Sequence, residues 1–480
     1  MNFSELISTL SSWVWGAPFI CFCLAIGLYF SLRTRFLQVR FFKQMVTMLF
    51  KGKSSSSGIS SFQAFNLALA GRIGTGNISG VATAIVLGGP GAVFWMWVIA
   101  FFGAGTAYVE ASLAQVYKEK IEGNYRGGPA YYILKGLRNK PYAVVFALVT
   151  IFSLGLLIPG VQSNAICEAV HHSFGIDQRI TSGVTVLFLA MVIFGGVKRI
   201  ARVAEIVTPF MAFGYLLCVA VILALHYQQI PGVFLLIFKS AFGLEQTFGG
   251  MVGASISMGV KRGIFSNEAG QGSAPHAAAA CEVPHPAKQG LVQAFSVYVD
   301  TLLVCTATAL VIIITGTYRV YDSMQQVVFT GSGMPEAITE YGPVNTLLAI
   351  DTTIPGFGSG FVAIALFFFA FTTLMSYYFQ AESNVYFLFR KKKTAFLMVN
   401  LLRITMLTVT YFAAINTMTL AWNMADIGVG LMAWLNIIAI ILLRKVALNV
   451  FSDFEKQYRS GIKDPVFRAD KSGIKNADMW

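Results

Sequence analysis

The chain has 480 residues, of which 56% are hydrophobic and only 12% are charged, whereas soluble proteins carry about 25% charged residues. A water-soluble fold is therefore excluded. The 35 Lys and Arg residues outnumber the 22 Asp and Glu residues, for a formal net charge of +13. In a membrane protein such an excess records orientation, so it does not predict a nucleic-acid partner. The first twelve residues contain Glu5 and no basic residue, so we expect no cleavable secretory signal.

Apolar segments long enough to cross a bilayer recur along the chain. A spanning helix needs about 20 apolar residues, and we predict an all-α integral membrane protein with about eleven such helices. The predicted spans are 13–32, 60–87, 91–116, 141–167, 180–197, 206–225, 247–281, 289–316, 357–389, 395–416 and 419–443. The predicted domains are an extra N-terminal helix with a basic loop (1–58), two five-helix repeats (59–228 and 229–443) and a C-terminal tail (444–480).

The distribution of basic residues predicts the orientation, because cytoplasmic loops are enriched in Lys and Arg. With the N terminus outside, the inner segments hold 28 of the 35 basic residues. These inner segments are 31–62, 118–142, 198–205, 282–289, 390–394 and 444–480. The outer segments hold only Arg179, Lys239 and Arg319. We therefore expect an outside N terminus and a cytoplasmic C-terminal tail.

Two of the predicted spans contain polar, glycine-rich segments. Residues 71–80 combine four glycines with Arg72 and Asn77, and residues 263–275 form a similar segment about 190 positions later. Backbone that leaves a helix at membrane depth must be satisfied by protein or by a watery cavity. A pair of such breaks in corresponding positions of two halves is typical of the binding site of a secondary transporter. The alternative is that the glycines serve close helix packing.

The first break has the chemistry to bind an amino acid. The half-helix that begins near Gly76 directs N–H groups at a carboxylate, while unwound carbonyls can bind an ammonium group or a cation. Asn77 and the carbonyls around Ile73 would supply oxygen ligands for sodium. Gln162 and Asn164 follow a Pro-Gly pair and either face the substrate or form hydrogen bonds between helices.

Other polar groups at membrane depth are candidate ion ligands. Asp300 lies in an otherwise apolar helix, so we expect it to coordinate a cation or carry a proton, with structural pairing as the alternative. Thr372 and Thr373 offer two hydroxyls, although intramembrane Thr usually bonds to its own helix. Structural roles are expected for Glu110, Glu382 and Asp426. The sequence assigns no role to Lys261 and Arg262.

Motifs of enzymes are incomplete. A phosphate-binding loop at 52–54 would need a glycine at Thr47, and His276, Cys281 and His285 lack a zinc spacing. We therefore predict no enzyme, no cofactor and no transition-metal site. An ion channel is the alternative from another class, but the rings of pore-lining groups expected of one are not evident in the sequence.

Residues 88–103 (GGPGAVFWMWVIAFFG) match the signature of the alanine or glycine:cation symporter family, also called the sodium:alanine symporter family. Further blocks similar to that family follow its order over residues 60–440. These blocks are 74–77, 127–129, 195–200, 266–270, 272–275 and 300–301. The resemblance implies a leucine-transporter-like fold, with two inverted five-helix repeats, broken first and sixth core helices and one extra N-terminal helix. It also implies sodium-coupled uptake of alanine or glycine across the inner (plasma) membrane of a prokaryote.

The resemblance also implies site residues by position, with the substrate carboxylate near Thr75 and Gly76. The expected substrate-binding residues are Thr75, Gly76, Gln162, Phe265, Ser266 and Asn267. The expected cation ligands are Asn77 and Asp300 at one site, and Ala70, Ile73, Thr372 and Thr373 at another. The expected partners are a small neutral amino acid, sodium and the lipid bilayer. Proton coupling, or a larger neutral substrate such as glutamine, is the alternative within this class.

Overall fold

The computed structural model describes residues 3–51, 55, 57–415 and 418–480. Residues 52–54 and 56 of the predicted inner loop 31–62, and residue 416 at the predicted end of the tenth span, lie outside the described residues. The described part of the chain is mostly helical, and eight of its helical segments are long and apolar enough to cross a membrane. Two further apolar helical segments, Gly76–Gly88 and Gln178–Ile193, are shorter.

Four helices precede the first broken helix. They are α1 (Phe3–Val14), α2 (Ala17–Arg33), α3 (Leu37–Arg40) and α4 (Phe42–Leu49). Helix α2 covers most of the predicted first span, and a proline in its first turn suits its start because proline lacks the N–H that would remain unpaired there. Helices α3 and α4 lie in the predicted inner loop and are too short to span a bilayer.

The next part of the chain contains a broken helix and five complete ones. It comprises α5 (Ser61–Arg72), π-helical turns at Gly76–Gly80, α6 (Val81–Gly88), α7 (Gly91–Val116), strands β1 (Glu119–Ile121) and β2 (Asn124–Arg126), α8 (Pro129–Gly136), α9 (Lys140–Phe152), α10 (Pro159–Phe174), α11 (Gln178–Ile193) and α12 (Gly196–Leu225). Helices α9 and α10 join through π-helical turns at Ser153–Leu157 into one apolar segment of 35 residues. The predicted span 91–116 coincides with α7.

The remaining elements follow a connecting helix, α13 (Ile230–Ala241). They are α14 (Val252–Asn267), α15 (Pro275–Ala279), α16 (Pro286–Val297), π-helical turns at Tyr298–Cys305, α17 (Thr306–Thr315), β3 (Arg319–Tyr321), β4 (Val327–Thr330), α18 (Pro343–Thr353), α19 (Gly358–Leu388), α20 (Lys392–Ala413), α21 (Met418–Leu442), α22 (Arg444–Arg459) and α23 (Ala469–Ser472). The strands form two antiparallel hairpins, β1 with β2 and β3 with β4. The expectation of an all-α chain is therefore corrected to a mostly helical one.

The same order of elements occurs twice. A broken helix, a long helix, a β-hairpin, a short helix and three long helical segments run from α5 to α12 and again from α14 to α21. Each short helix begins at a proline after a glycine, Gly128 or Gly342, whose φ angle is 134° or 130° respectively. Non-glycine residues rarely adopt that backbone region, so the two corners share an unusual constraint. The division into repeats at 59–228 and 229–443 remains a prediction.

The broken helices pack at the centre of the molecule. Helix α7 packs against both α14 and α16, and α19 packs against α5, α10 and α12. A Cβ atom on Gly259 or Gly263 of α14 would overlap atoms of α7. Close packing therefore explains Gly263, as the alternative interpretation of the second glycine-rich segment proposed, and also Gly259, which lies just before that segment. The breaks themselves have a different geometry, described below.

The C-terminal tail folds back onto the predicted inner loops. The Trp480 indole donates a hydrogen bond to the Gln115 carbonyl at 2.9 Å, and the Asn476 side chain donates to the Lys135 carbonyl at 2.8 Å. His285 Nε2 also lies 3.1 Å from Asp453 Oδ2 of the tail. Burial lowers the pKa of this histidine to about 4. The tail and these loops therefore lie at the same end of the helices, as the distribution of basic residues predicts.

Candidate substrate and cation site at the two helix breaks

The first break separates α5 from α6. Ile73 leaves the helix with extended backbone (φ −75°, ψ 93°). The Asn77 Oδ1 atom accepts a hydrogen bond from the Gly74 amide at 2.9 Å, in the same direction as the bond from the third helical residue back to the cap amide in a capping box. The Thr75 amide donates to Gln162 Oε1 at 3.2 Å. Helix α10 therefore holds the unwound backbone through one of the residues expected to face the substrate.

The second break lies between α14 and α15 and is held by a buried carboxylate. Helix α14 ends at Asn267, and Glu268 adopts a left-handed conformation with φ of 57°. The amides of Gly270 and Gly272 donate to the two oxygens of Glu110 at 2.9 and 3.0 Å. The carboxylate thus replaces backbone bonds that a continuous helix would make. This geometry agrees with the structural role expected for Glu110.

The two breaks are in direct contact. A Cβ atom on Gly76 would lie 3.1 Å from the Cα atom and 3.2 Å from the Cβ atom of Ser266, and 3.3 Å from the Phe265 ring. These distances are too short for an easy substitution, so glycine permits the close approach. The residues expected to bind substrate at each break thus form one continuous surface.

We expect Gly74→Ala to destabilise the protein by about 1–3 kcal/mol. The added Cβ would lie 2.5 Å from Thr373 Oγ1 and 3.1 Å from Gln162 Oε1, so neighbouring side chains must move. Gly80→Ala is the matched control, since its Cβ would meet nothing closer than 3.7 Å. Thermal unfolding of the two purified variants compares the effects, and equal losses of stability would contradict this assignment.

Asn77 and Asp300, which were expected near one cation, lie together. Asn77 Nδ2 donates to Asp300 Oδ1 at 2.7 Å. Ser266 Oγ lies 3.0 and 2.9 Å from the two carboxylate oxygens, and Thr301 Oγ1 donates at 2.7 Å. All four side chains are buried. Asp300 lies in π-helical turns, which often occur at functional sites, and a buried intramembrane carboxylate favours a nearby compensating cation.

Three of the four groups expected at a second cation site also meet. The Thr373 Oγ1 atom lies 2.9 Å from the Ala70 carbonyl oxygen and 3.3 Å from the Ile73 carbonyl oxygen. The Thr372 hydroxyl instead donates to the Phe369 carbonyl at 3.0 Å and contacts the Met211 sulfur at 3.7 Å. The structure thus gathers neutral oxygens of α5 and α19 around Thr373 but directs the Thr372 hydroxyl elsewhere.

The remaining two expected substrate residues have different surroundings. The Phe265 ring packs against Trp422 of α21 with centroids 4.8 Å apart, and the Arg262 guanidinium lies 4.3 Å from the Trp422 ring centroid. Asn267 Oδ1 accepts a hydrogen bond from the Ala269 amide at 2.9 Å. Phe265 is therefore part of an aromatic cap over the breaks, whereas Asn267 closes the turn at the end of α14.

A cavity of about 450 Å³ lies beside this aromatic cap. Arg262 and Trp422 line it together with Thr83 of α6, Asn164 and Glu168 of α10, and Glu340 of the loop before α18. The loops on its wall belong to the predicted outer side of the membrane. The cavity therefore has the position of a vestibule next to the cap.

The structure explains the two basic residues that the sequence left without a role. Arg262 makes two hydrogen bonds with Asp426, at 3.1 and 3.0 Å, and Lys261 Nζ lies 2.7 Å from Asp426 Oδ2. The three groups join α14 to α21 at the cap. Asp426 therefore has the structural role expected for it, and Lys261 and Arg262 are its partners.

Sequence reasoning did not select Trp422, Thr301 or Cys305 as site residues. Trp422 lies four residues before Asp426, one helical turn away, so a search around intramembrane acids finds it. Thr301 is adjacent to Asp300, and the Cys305 sulfur lies 3.3 Å from Asn77 Nδ2. Proximity to an intramembrane acid is thus the sequence signal for Trp422 and Thr301, whereas the sequence gives no comparable signal for Cys305.

The profile of the sodium:alanine symporter family matches residues 1–469. A putative sodium/proton-dependent alanine carrier protein of Bacillus subtilis (strain 168) is 53% identical over 99% of this chain and 97% of that protein. A sodium/alanine symporter of Methanococcus maripaludis is 39% identical over 97% of this chain and its full length. A probable sodium/glutamine symporter of Bacillus subtilis is 40% identical over 97% of this chain and 93% of that protein.

The fold of this chain is similar to that of a solved transporter structure. A mutant of the Eremococcus coleocola manganese transporter superposes with a TM-score of 0.51 and 12% identity, over 83% of this chain and 90% of that one. At this identity the likeness concerns the fold alone. Together with the apolar helices, these matches make the chain a multi-pass membrane protein, and it belongs to the sodium:alanine symporter family.

Proposed function

We propose that this protein is a secondary active transporter that couples inward sodium flow to the uptake of alanine or glycine by alternating access. The observation that carries the proposal is the contact between the two helix breaks at Gly76 and Ser266. Side chains from both broken helices, Asn77 and Ser266, donate there to the Asp300 carboxylate. One small region thus combines N–H donors for a carboxylate with oxygens for an ammonium group or a cation.

Sodium is the better candidate for the coupling ion because of the oxygens around Thr373. The Ala70 and Ile73 carbonyls and the Thr373 hydroxyl are neutral groups, which coordinate a metal ion but do not accept a proton at ordinary pH. Several relatives carry sodium in their names, and the Bacillus subtilis alanine carrier is named for sodium and proton together. The neutral oxygens of this cluster and the Asp300 carboxylate are therefore both suitable ligands for sodium.

The close packing at the breaks favours a small substrate. Ser266 and Phe265 lie within about 3.3 Å of where a Gly76 Cβ would be, and the Trp422 ring covers Phe265. Closely packed groups exclude additional methylene groups at a cost of about 1–3 kcal/mol. Alanine and glycine are therefore proposed in preference to glutamine, the substrate that appears in the name of another relative.

The two repeats provide the means of alternating access. Five passes in each repeat place corresponding elements in opposite orientations, as in inverted-repeat transporters. The first hairpin, β1 with β2, follows the chain into a predicted inner loop, and the second, β3 with β4, into an outer segment. With the vestibule outside and the C-terminal tail inside, the aromatic cap separates the substrate region from the outer solution.

Uptake of labelled alanine by proteoliposomes tests the proposed function. We expect uptake under an inward sodium gradient and little uptake when choline replaces sodium, because the ion drives the solute. Unlabelled glycine should compete more strongly than unlabelled glutamine. Equal uptake without sodium would refute sodium coupling, and a current that fails to saturate with alanine would indicate a channel instead.

A further inference from the structure

Glu268 is a buried carboxylate at the second break that has no use in the site described so far. Its side chain is fully buried, and within the described residues neither carboxylate oxygen makes a hydrogen bond of ordinary geometry. The residue holds a left-handed backbone conformation, φ 57°, which is uncommon for a non-glycine residue and often marks a functional site. The Ser273 hydroxyl lies near this carboxylate and Arg72 acts on it electrostatically, so a further compensating charge would lower the cost of burying the acid.

Glu268 faces a small polar space between α5 and α19. A Cβ atom on Gly71 would lie 2.9 Å from Ser376 Oγ, 3.2 Å from Glu268 Oε1 and 3.3 Å from Gln380 Nε2. Gly71 thus leaves open the point at which these three side chains converge. The side-chain oxygen of Gln380 is also buried without a hydrogen-bond partner among the described residues.

This space adjoins the oxygens gathered around Thr373. Ser376 lies three residues after Thr373, on the same face of α19, and its hydroxyl donates to the Leu67 carbonyl at 3.0 Å. Leu67 in turn lies three residues before Ala70, whose carbonyl contacts Thr373. The carboxylate therefore lies about one helical turn from a cluster that consists only of neutral oxygens.

The charges around the breaks do not balance. Arg72 interacts electrostatically with Glu268, Asp300 and Glu110, so one buried cation faces three buried carboxylates. Glu110 and Asp300 each receive several hydrogen bonds. Arg72 donates to the Gln293 carbonyl and to Ser296, and its Nε and Nη2 atoms have no hydrogen-bond partner among the described residues. Bound cations would neutralise the excess negative charge.

We propose that Glu268 supplies the negative charge of a sodium site formed with the Ala70 and Ile73 carbonyls and the hydroxyls of Thr373 and Ser376. This inference rests on the proposed function and adds to it a carboxylate that links the second break to the ion at the first. Sodium bound there holds α5, α19 and the end of α14 together. The ion thereby couples the two broken helices.

Glu268→Gln tests the site because it removes the charge and keeps the shape. We expect the sodium concentration for half-maximal stabilisation of the purified protein to rise about tenfold or more, because a nearby carboxylate attracts the ion strongly at low dielectric. The reversal potential of alanine transport in proteoliposomes should show one sodium ion fewer per alanine. Glu268→Asp, which retains the charge, should recover part of the sodium affinity if Glu268→Gln folds poorly.

Glu382→Gln is the matched control, since it also removes a buried charge near the inner half of α19. Glu382 pairs with Arg126 at 3.3 Å, so this variant should lose thermal stability and keep the wild-type response to sodium. An unchanged sodium response and coupling ratio in Glu268→Gln would overturn the proposal. The proposal would also be overturned if Glu268→Gln lost only its response to a proton gradient and kept its response to sodium. If the wild-type protein shows no sodium response, the proposed function itself fails.

Discussion

Asp300→Asn should abolish most sodium-driven alanine uptake while leaving the protein folded. Asparagine keeps the shape of the side chain and one of its two acceptor oxygens, so Asn77 and Ser266 can still donate to Oδ1, while the Thr301 hydroxyl, which donates to Oδ2, must turn to accept from the new amide. The variant therefore loses the negative charge and one acceptor. At an effective dielectric constant near 20, a unit charge about 4 Å from a cation contributes about 4 kcal/mol. We therefore expect the sodium concentration for half-maximal uptake to rise at least ~100-fold.

The matched substitution is Thr301→Val, which removes one donor to the carboxylate and keeps the charge. A hydrogen bond to a charged group contributes about 1.5–3 kcal/mol, so this variant should weaken sodium dependence by about tenfold and remain functional. Initial rates over a range of sodium concentrations, with thermal stability as the measure of folding, separate the two effects. Wild-type sodium dependence in Asp300→Asn would remove this residue from the cation site.

The sequence predicted the elements that depend on local pattern. The predicted span 91–116 is the helix α7, because a long apolar run with a single acid, Glu110, is typical of a membrane-spanning helix. Both breaks lie within the glycine-rich segments that suggested them. The family profile confirms the resemblance derived from residues 88–103. The hairpins and the short helix α18 were not predicted, because they lie in polar segments too short for a periodic pattern.

Contacts between residues far apart in the chain could not be predicted from the sequence. Arg262 and Asp426 are 164 positions apart, and a charge pattern within one helix says nothing about the partner it meets in another. The same holds for Glu268, whose significance comes from the missing donors around its oxygens and from the space beside Gly71. The sequence also did not distinguish Thr372 from Thr373. The Thr372 hydroxyl donates to Phe369 of its own helix, whereas the Thr373 hydroxyl donates to Ala70 of α5.

In the ion pair between α14 and α21, substitution of the acid should destabilise the protein more than substitution of one of its basic partners. Asp426→Asn should destabilise the protein by about 3 kcal/mol or more, because it leaves Arg262 and Lys261 both without a countercharge, and buried charges that lose their partner are costly. Arg262→Gln should cost less, because Asp426 keeps Lys261 at 2.7 Å. Thermal unfolding of the purified variants, at equal protein and detergent concentration, ranks them.

The double variant Arg262→Gln with Asp426→Asn separates pairing from an independent role of each residue. It removes one of the two unpaired cations, so it should be more stable than Asp426→Asn alone, a coupling that independent sites would not show. Alanine uptake should nevertheless stay low in this variant, because the Arg262 guanidinium also contacts the Trp422 ring that closes the cap over Phe265. Additive losses of stability would contradict the pairing, and wild-type uptake would show that the ion pair does not control closure of the cap.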